Sequence, residues 1–442
     1  MAQLSLWIGI AALIFLQNVS AFNLVCYFTS WSQYREAPAG FVTDDIEPDL
    51  CTHIIYAFAN ISGNQITHYE WNDATTYENL RGLKTRNPKL KILLSVGGAK
   101  LGSAPFQNIN TSPATRSEFV ASVISFLRTN NFDGLDVAWN EPSQNDKRHL
   151  VKLVQDLNVA FRYEARRNPE RQNLILSVAV PAGKEAIDNG FDIQNIARFA
   201  DFLNVLSFNF HGYWPDHSHP YTGHGSPLRK SRADRGSASA YNVDYAIRYL
   251  KTKGAPTRKI IMGIPTYGQT FTLSSVQTGV GAPASGPGLA GTFTKSAGTL
   301  AYYEICSFNH GATKENIEEQ QVPYSYKGNQ WVGYEDETSV PIKVQYAKNN
   351  NLGDTGEALV SESATRGPDP QYSNVGFSPV LFPWQEVDSK QLGILTLTSS
   401  QRPLAWELIV WSAVARLERV AGCLRGALPL RRCADVGARE IR

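Results

Sequence analysis

The chain has 442 residues, of which 43% are hydrophobic and 19% are charged. This composition is typical of a globular protein with a large core, and it excludes a disordered or fibrous chain. The formal net charge of +2 provides no general attraction to nucleic acids or to membrane surfaces, so neither is expected as a partner.

Residues 1–21 are predicted to be a signal peptide. The apolar run from Leu4 to Leu16 is too short to span a bilayer comfortably, and the small residues at 19 and 21 suit cleavage after Ala21. A retained anchor or a buried helix is the alternative. The segment therefore predicts a secreted protein of the extracellular space, without membrane insertion.

Secretion makes disulfides and N-glycosylation relevant to this chain. Two acceptor sequons are present, Asn60-Ile61-Ser62 and Asn110-Thr111-Ser112, and Asn60 is the predicted glycosylation site. The odd number of cysteines leaves at least one thiol without an intrachain partner. The five cysteines are Cys26, Cys51, Cys306, Cys423 and Cys433.

Short apolar segments rich in β-branched and aromatic residues alternate with amphipathic segments from residue 24 to residue 264. Continuous apolar character is typical of parallel strands that are buried on both faces. Helical stripes of apolar residues cover 119–127 and 150–161, and Pro113 suits a helix start. The predicted strands are Leu24–Ser30, His53–Asn60, Lys91–Gly97, Gly134–Trp139, Leu174–Val180, Phe202–Phe208 and Ile260–Ile264.

The repeated strand–helix units predict an α/β fold, and their number favours a closed (β/α)8 TIM barrel over an open doubly wound sheet. Residues 22–268 would supply barrel strands 1 to 7. No Gly-x-Gly-x-x-Gly turn follows the first strand, so a dinucleotide site has no support and no cofactor is expected.

The pattern changes after the seventh strand. Residues 269–335 are rich in Gly, Ser, Thr, Tyr and Pro and end in a β-type alternation, which predicts an inserted α+β domain. Residues 336–353 would return to the barrel. Residues 354–442 are predicted to be a divergent, poorly ordered tail, so that the eighth strand is missing or replaced, with Gly393–Thr398 as a candidate substitute.

Seven segments of the chain form a set of motifs in a fixed order. They are Cys26–Trp31, His53–Asn60, Leu94–Gly98, Phe132–Trp139, Phe210–Gly212, Met262–Gly268 and Gln320–Tyr334. This set resembles the animal chitinase-like proteins of glycoside hydrolase family 18, and in particular the chitinase-3-like cartilage glycoproteins. The resemblance implies a TIM barrel with an α+β insertion after strand 7 and a disulfide between Cys26 and Cys51. The pairing of Cys306 with Cys423 or Cys433 stays open.

Active members of this family carry Asp-x-x-Asp-x-Asp-x-Glu at the fourth barrel strand. The final Glu donates the proton, and the preceding Asp orients the acetamido group of the substrate. Here Ala138 and Asn140 replace these two residues, while Asp133 and Asp136 remain. Because an amide has no acidic proton near neutral pH, the resemblance implies an inactive chitinase homologue with no catalytic residue. Asp133 and Asp136 are expected to face inward near the strand's end as buried hydrogen-bonding groups.

The other groups that could assist catalysis are also changed. Phe208 and Asn209 stand where active relatives carry a Tyr and an Asp. Glu141 is the alternative acid, but successive strand side chains point to opposite faces. Glu141 is therefore one residue out of register with the lost acid and would enter the cleft only if the strand end bends. We expect it to line the cleft mouth as a polar wall.

The resemblance also implies a carbohydrate-binding cleft at the carboxyl ends of the strands. Aromatic faces stack on pyranose rings, and polar groups bind hydroxyls and amides. Ordinary core packing is the alternative for any single aromatic residue. The candidate binding residues are Tyr27, Trp31, Glu70, Trp71, Gly97, Gly98, Ala99, Lys100, Trp139, Glu141, Phe208, Asn209 and Trp214.

Four positions of the cleft depart further from the family pattern. Tyr69 stands in place of a Trp, the pair Ala99-Lys100 in place of Trp-Asn, and Gln269 in place of an Arg. Each lost stacking ring is expected to remove about 0.5–1.5 kcal/mol of binding free energy beyond area burial. Sugar binding is therefore expected to be weaker than in relatives with a complete cleft.

One histidine cluster and two basic runs are interpreted as ordinary structure. His211, His217, His219 and His224 lack the spacing of a tetrahedral metal site, so no metal is expected. The basic runs 146–149 and 229–232 are expected to be solvated surface, with binding of a heparin-like polyanion as the minor alternative.

These features predict a secreted, monomeric, non-catalytic chitinase-like lectin. The resemblance implies chitooligosaccharides or glycosaminoglycans as ligands, a cell-surface receptor as partner, and a role in tissue remodelling or inflammatory signalling. The alternatives are a residual chitinase that uses Glu141 and a variant that has lost sugar binding.

Overall fold

A computed structural model describes residues 24–213, 220–232 and 234–353, together with the backbone of 358–361. Within these residues, no helix combines the length and the apolar character needed to cross a membrane. Several predicted features lie outside the described residues: the signal peptide at 1–21, Trp214, His217, His219, Cys423, Cys433, and the tail apart from 358–361, including the segment 393–398.

A ring of parallel strands forms the centre of the molecule. The strands pair in chain order, and β1 also pairs with β2. β1 and β8 are buried along their whole length, as their continuous apolar character predicts. The seven predicted strands are confirmed as β1 Leu24–Thr29, β2 His53–Ser62, β4 Lys91–Gly97, β5 Gly134–Ala138, β6 Ile175–Pro181, β7 Phe202–Leu206 and β8 Ile260–Pro265, with the short β3 Gln65–Thr67 antiparallel to β2.

A short strand from the start of the tail occupies the eighth position of the ring. This strand, β15 Ala358–Ser361, runs parallel to both of its neighbours. Ala358 lies opposite Leu24 of β1 and opposite Met262 of β8. The eighth strand of the TIM barrel is thus supplied by four residues near the start of the tail, well before the candidate segment 393–398.

Helices cover the outside of the barrel. Because each helix runs antiparallel to the strands, helix carboxyl ends and strand amino ends share one face, the amino-terminal face of the barrel. α3 begins with Pro113, and the Ser112 hydroxyl accepts the Thr115 N–H at 3.1 Å as an N-cap. The helices around the barrel are α1 Asp73–Arg86, α2 Ala104–Ile109, α3 Pro113–Thr129, α4 Lys147–Arg167, α5 Lys184–Gly190, α6 Ile193–Phe199, α7 Val243–Thr252 and α9 Ser339–Asn349.

A second sheet lies between β8 and α9 in the chain. Its strands run in the order β10-β9-β14-β13-β12, and β11 pairs with β9. Phe271 and Trp331 form a small separate core, with ring centroids 5.6 Å apart. The domain boundaries at 269 and 335 stay a prediction. The elements are β9 Tyr267–Leu273, β10 Ala284–Pro287, β11 Thr299–Ala301, α8 Tyr302–Phe308, β12 Thr313–Ile317, β13 Val322–Lys327 and β14 Gln330–Gly333.

Apolar side chains from several strands pack inside the barrel. Val25, Ile55 and Leu93 point into it from successive strands and are fully buried. Burial of each such side chain contributes about 1.5–3 kcal/mol to stability. The disulfide between Cys26 and Cys51, which the family resemblance implied, ties β1 to the segment before β2.

The two sequons lie in different environments. Asn60 is half-buried on β2, and its Oδ1 atom accepts the Ile61 N–H at 2.9 Å. Asn110 is buried, and its Nδ2 atom donates to the Phe106 carbonyl at 2.8 Å. Glycosylation places a bulky group at the surface, so Asn60 stays the predicted site.

Candidate carbohydrate-binding cleft

A buried carboxylate, Asp136 on β5, lies at the centre of the barrel. Burial raises its pKa above the usual value, and the hydrogen bonds that it accepts oppose this effect. Its partners come from four other strands, so the network joins β5 to β1, β4, β6 and β7. The donors are Tyr27 Oη at 2.8 Å, Ser95 Oγ at 2.7 Å, Ser177 Oγ at 2.7 Å and Asn204 Nδ2 at 3.0 Å.

The positions that follow Asp136 toward the mouth of the barrel carry no acid. Side chains alternate along a strand, so Ala138 lies on the same side of β5 as Asp136, and Asn140 lies two residues beyond the end of the strand. Ala138 packs against the apolar interior of the barrel. The Oδ1 atom of Asn140 is buried and has no hydrogen-bond partner among the described residues. A methyl group and a neutral amide therefore stand at the carboxyl end of β5.

Asp133 lies at the other end of the same strand. Its carboxylate accepts the Ile92 N–H at 2.7 Å and pairs with Lys84 Nζ at 2.6 Å. The prediction that Asp133 faces inward near the strand's end is wrong, because the strand begins at Gly134 and runs away from this residue. Asp133 instead links α1 to β4 at the amino-terminal face.

Glu141 lies where the chain turns away from the barrel. Its φ is 51°, in the left-handed region, and the residue is exposed. Ser103 Oγ donates to the backbone carbonyls of Asn140 at 3.0 Å and of Glu141 at 3.2 Å. These bonds fix the turn, and Glu141 stays out of register with Asn140.

Two tryptophans of the predicted cleft differ in exposure. Trp31 follows β1, is half-buried and stacks on Phe58 with ring centroids 5.8 Å apart. Its Nε1 atom is buried and has no partner within the described part of the chain. Trp71, which lies between β3 and α1, is 83% exposed. It offers the larger free aromatic face.

The segment that carries Trp71 is held by carboxylates. Asp73 is buried and accepts the backbone N–H groups of residues 69 and 70 at 2.6 and 2.9 Å. The Glu70 carboxylate accepts hydrogen bonds from Ser30 Oγ at 3.1 Å and from Tyr34 Oη at 2.6 Å. Trp71 is therefore exposed on a fixed backbone, and Glu70 is a supporting group with two intramolecular partners.

Two positions that depart from the family pattern contact each other. Lys100 Nζ lies 5.2 Å from the centroid of the Tyr69 ring, a cation–π distance. Lys100 is exposed and Ala99 is half-buried. The segments that follow β3 and β4 thus meet at this contact.

Gly97 and Gly98 allow close packing at the end of β4. Both have positive φ, 124° and 82°. A Cβ atom would lie 2.1 Å from the Ala138 carbonyl oxygen at Gly97 and 2.7 Å from the Phe58 ring at Gly98. The space that a side chain would need is already occupied, so any role in sugar binding is carried by the backbone.

Trp139 is a core residue. It is 2% exposed, its ring stacks on Phe106 of α2 at 4.8 Å, and its Nε1 donates to Ser103 Oγ at 2.9 Å. The prediction that it lines the cleft is wrong, because side chains alternate and this position faces the helices. Tyr27 is also buried, with its hydroxyl bonded to Asp136.

Asn209 forms a neutral hydrogen-bonded group after β7. Its Oδ1 atom accepts hydrogen bonds from Tyr267 Oη at 2.6 Å and from Gln269 Nε2 at 2.8 Å. Phe208 is buried and lies edge-on to Tyr267, with centroids 6.2 Å apart. Sequence reasoning missed Tyr267 and Phe58, although both lie within motifs that carried the resemblance.

His224 has a structural role. Burial lowers its pKa to about 3. Its Nδ1 accepts the Ser226 N–H at 2.9 Å, and Nε2 lies 2.8 Å from the Tyr334 carbonyl oxygen. The neutral ring links the segment after β7 to the segment after β14.

Comparisons with known proteins agree with this architecture. Residues 23–356 match the model of the family "Glycosyl hydrolases family 18". Human chitinase-3-like protein 2 is 48% identical over 376 residues, which is 84% of this chain and 96% of that protein. Mouse chitotriosidase-1 is 43% identical over 359 residues, which is 80% of this chain and 76% of that protein.

The fold is likewise similar to a solved structure of human YKL-39, a pseudo-chitinase with retained chitooligosaccharide-binding properties. The TM-score is 0.74 at 48% identity, covering 77% of this chain and 92% of that chain. With the matched segment, these similarities show that the chain belongs to glycosyl hydrolase family 18.

Proposed function

We propose that the chain is a non-catalytic chitooligosaccharide-binding protein. The observation that carries this proposal is the amide of Asn140 at the position of the family's proton donor. General acid catalysis needs a group with a pKa near the working pH, and an amide has none. The solved structure of YKL-39, a pseudo-chitinase with retained binding, supports the same combination in this chain.

The mouth of the barrel supports binding of an acetylated sugar. The Trp71 ring, 83% exposed, would stack on a pyranose face. The Oδ1 atom of Asn140 would accept a hydrogen bond from a hydroxyl or an acetamido N–H group. Ala138 and Phe208 would provide an apolar contact for the acetyl methyl group. Trp31 Nε1 is a further buried donor for a ligand oxygen.

A residual chitinase that uses Glu141 is the second candidate. Glu141 is the carboxylate next to Asn140 in the chain, but its exposure and its left-handed turn argue against delivery of a proton to a bound glycosidic oxygen. A fluorogenic chitotrioside tests both candidates. We expect neither the wild type nor Glu141→Gln to release the fluorophore faster than buffer does. Turnover by the wild type that Glu141→Gln abolishes would overturn the proposal.

Binding is tested by calorimetric titration with chitohexaose. We expect saturable binding with no product in the cell. If the protein melts cooperatively but does not bind chitohexaose, the result would instead support the alternative that this chain has lost sugar binding.

We propose an extracellular location with a role in tissue remodelling or inflammatory signalling through a cell-surface receptor. The disulfide between Cys26 and Cys51 favours an oxidising compartment, and Asn60 is the proposed glycosylation site. Expression of the full chain in mammalian cells should give a secreted monomer by light scattering. Its mass should fall on glycosidase treatment, and Asn60→Gln should remove that shift.

A further inference from the structure

Two departures from the family pattern meet between the end of β7 and the start of β9. Asn209 stands where active relatives carry an Asp, and Gln269 stands in place of an Arg. In the structure, Gln269 Nε2 donates to Asn209 Oδ1 at 2.8 Å. A pair of amides therefore occupies the place of an acidic and a basic residue, and neither charge remains.

A short contact with Tyr267 shows which atom of the Asn209 amide is the oxygen. Tyr267 Oη lies 2.6 Å from Asn209 Oδ1. This distance lies within the range of O–H···O hydrogen bonds and below that of N–H···O bonds, so the atom that faces the hydroxyl is oxygen rather than nitrogen. Gln269 Nε2 occupies the second lone pair of the same oxygen. Both acceptor positions of Asn209 are therefore used by residues of β9.

The nitrogen of the Asn209 amide is left for a ligand. Nδ2 carries a pair of N–H donors, and it has no partner among the described residues. Asn209 is half-buried, and its φ of 58° lies in the left-handed region, where Asn and Asp are the favoured residues after Gly. An Asp therefore fits the same backbone, which makes Asn209→Asp a change of hydrogen-bond character alone.

The surroundings of Asn209 are apolar. Tyr267, which contacts Asn209, belongs to the same apolar cluster as Phe208 and Ala138. Ala138 ends β5, Phe208 follows β7 and Tyr267 begins β9, so the cluster lies where the proposed cleft opens. A hydrogen bond is stronger where such a surface excludes water. Amide donors beside an apolar surface suit a carbonyl group that carries a methyl group.

We propose, on the basis of the proposed chitooligosaccharide function, that Asn209 determines specificity by donating its Nδ2 amide to the carbonyl oxygen of a sugar acetamido group. Tyr267 and Gln269 are positioning residues that hold this donor toward the ligand. A carboxylate at position 209 has only acceptor atoms, so the amide reverses the hydrogen-bond character of the position. The ammonium group of a deacetylated sugar has only donors and cannot accept from Asn209.

The test measures the affinities of the full chain for chitohexaose and for the hexamer of glucosamine by calorimetric titration. Mildly acidic pH keeps the amino groups of glucosamine protonated. We expect the wild type to bind chitohexaose at least about tenfold more tightly than the glucosamine hexamer, because without a carbonyl oxygen the Asn209 donor stays unpaired in the complex.

Asn209→Asp replaces the donor by an acceptor and keeps both hydrogen bonds from β9. The affinity for chitohexaose should fall about tenfold, because the carboxylate faces the carbonyl oxygen and cannot donate to it. The affinity for the glucosamine hexamer should rise about fivefold, because the carboxylate attracts an ammonium group. Loss of structure alone would not produce opposite changes for the two ligands.

Asn168→Asp is the matched control. Asn168 is half-buried at the carboxyl end of α4, on the amino-terminal face of the barrel, and the variant adds the same charge away from the cleft. Both affinities should change less than about twofold.

Gln269→Glu tests the positioning role. The new carboxylate accepts from Asn209 Nδ2 and turns the amide over, so that Oδ1 faces the ligand. The affinity for chitohexaose should fall about fivefold. Combined with Asn209→Gly, which removes the amide and suits the left-handed φ, Gln269→Glu should cause no further loss, because it acts through Asn209.

Two outcomes would overturn this inference while the proposed function stands. One is chitohexaose binding by Asn209→Asp that equals that of the wild type, because the oxygen of Asn209 would then face the ligand. The other is equal affinity of the wild type for the two hexamers. A wild type that melts cooperatively and binds neither hexamer would overturn the proposed function together with this inference. If Gln269→Glu melts early, the comparison of the wild type with Asn209→Asp still decides.

Discussion

The polar groups at the centre of the barrel have hydrogen-bond partners, whereas two polar atoms at the mouth of the cleft have none among the described residues. At the centre, Asp136 accepts hydrogen bonds from four side chains on four strands. At the mouth, Asn140 Oδ1 and Trp31 Nε1 are buried without partners among the described residues, and Trp71 is 83% exposed. A saturated group stabilises the fold and has little left for a ligand, whereas unpaired groups and a free ring can gain by binding one. We therefore expect mutations at the centre to lower the stability of the fold and mutations at the mouth to change the affinity for a ligand.

The largest effect is expected for Asp136→Ala. It leaves the hydroxyls of Tyr27, Ser95 and Ser177 and the amide of Asn204 without their acceptor. We expect the free energy of unfolding to fall by about 4 kcal/mol, because each buried group loses a hydrogen bond. Urea denaturation measures this. Glu141→Ala, at an exposed carboxylate, is the control and should change stability by no more than about 0.5 kcal/mol. Similar losses in both variants would refute the structural role of the centre.

The second prediction restores acids to the mouth. Ala138→Asp combined with Asn140→Glu should hydrolyse a fluorogenic chitotrioside about 10²-fold faster than buffer, because an acid and an orienting carboxylate are regained. Phe208 and Asn209 should keep this rate below that of active relatives. The control, Ala138→Asn with Asn140→Gln, adds similar volume without an acid and should stay inactive. Turnover in the control would show that the activity does not come from these carboxylates.

A smaller effect is expected for Trp71→Ala. Removal of the exposed ring should weaken chitohexaose binding about tenfold, or roughly 1.4 kcal/mol. The melting temperature should not change, since the ring has few contacts to lose. Tyr163→Ala on α4 removes a ring that is 59% exposed and should leave calorimetric affinity unchanged. Affinity that survives the loss of Trp71 would place the ligand elsewhere.

The smallest effect is expected at a position that departs from the family pattern. Tyr69→Trp enlarges the ring beneath Lys100 and should strengthen chitohexaose binding about two- to fivefold. Tyr69→Phe keeps the ring size and should leave the affinity close to that of the wild type. Calorimetry on the three proteins gives the comparison. A larger gain from Phe than from Trp would show that ring area is not the limiting property.

Sequence reasoning succeeded where the signal is local. The strand Lys91–Gly97 has the bounds that were predicted, because a continuous apolar run between polar ends identifies a buried strand. The eighth strand gave no such signal. Ala358–Ser361 is four residues long, and its hydrogen-bonding partners, β1 and β8, lie far away in the chain.

The sequence predicted the residue types of the site better than it predicted where their side chains lie. The absence of acids at 138 and 140 follows directly from the sequence. Asp133 and Asp136 look equivalent there, but one pairs with Lys84 at the amino-terminal face and the other lies at the centre of the barrel. Trp71 and Trp139 also look equivalent, yet they are 83% and 2% exposed.

The sequence by itself determined the strand–helix order and the loss of the proton donor, because both depend on residue types at short spacing. The tertiary structure decided which polar groups are saturated and which aromatic rings are free. These properties depend on strand register and on contacts between residues distant in the chain, such as the 177 positions that separate Tyr27 from Asn204. No local pattern carries that information.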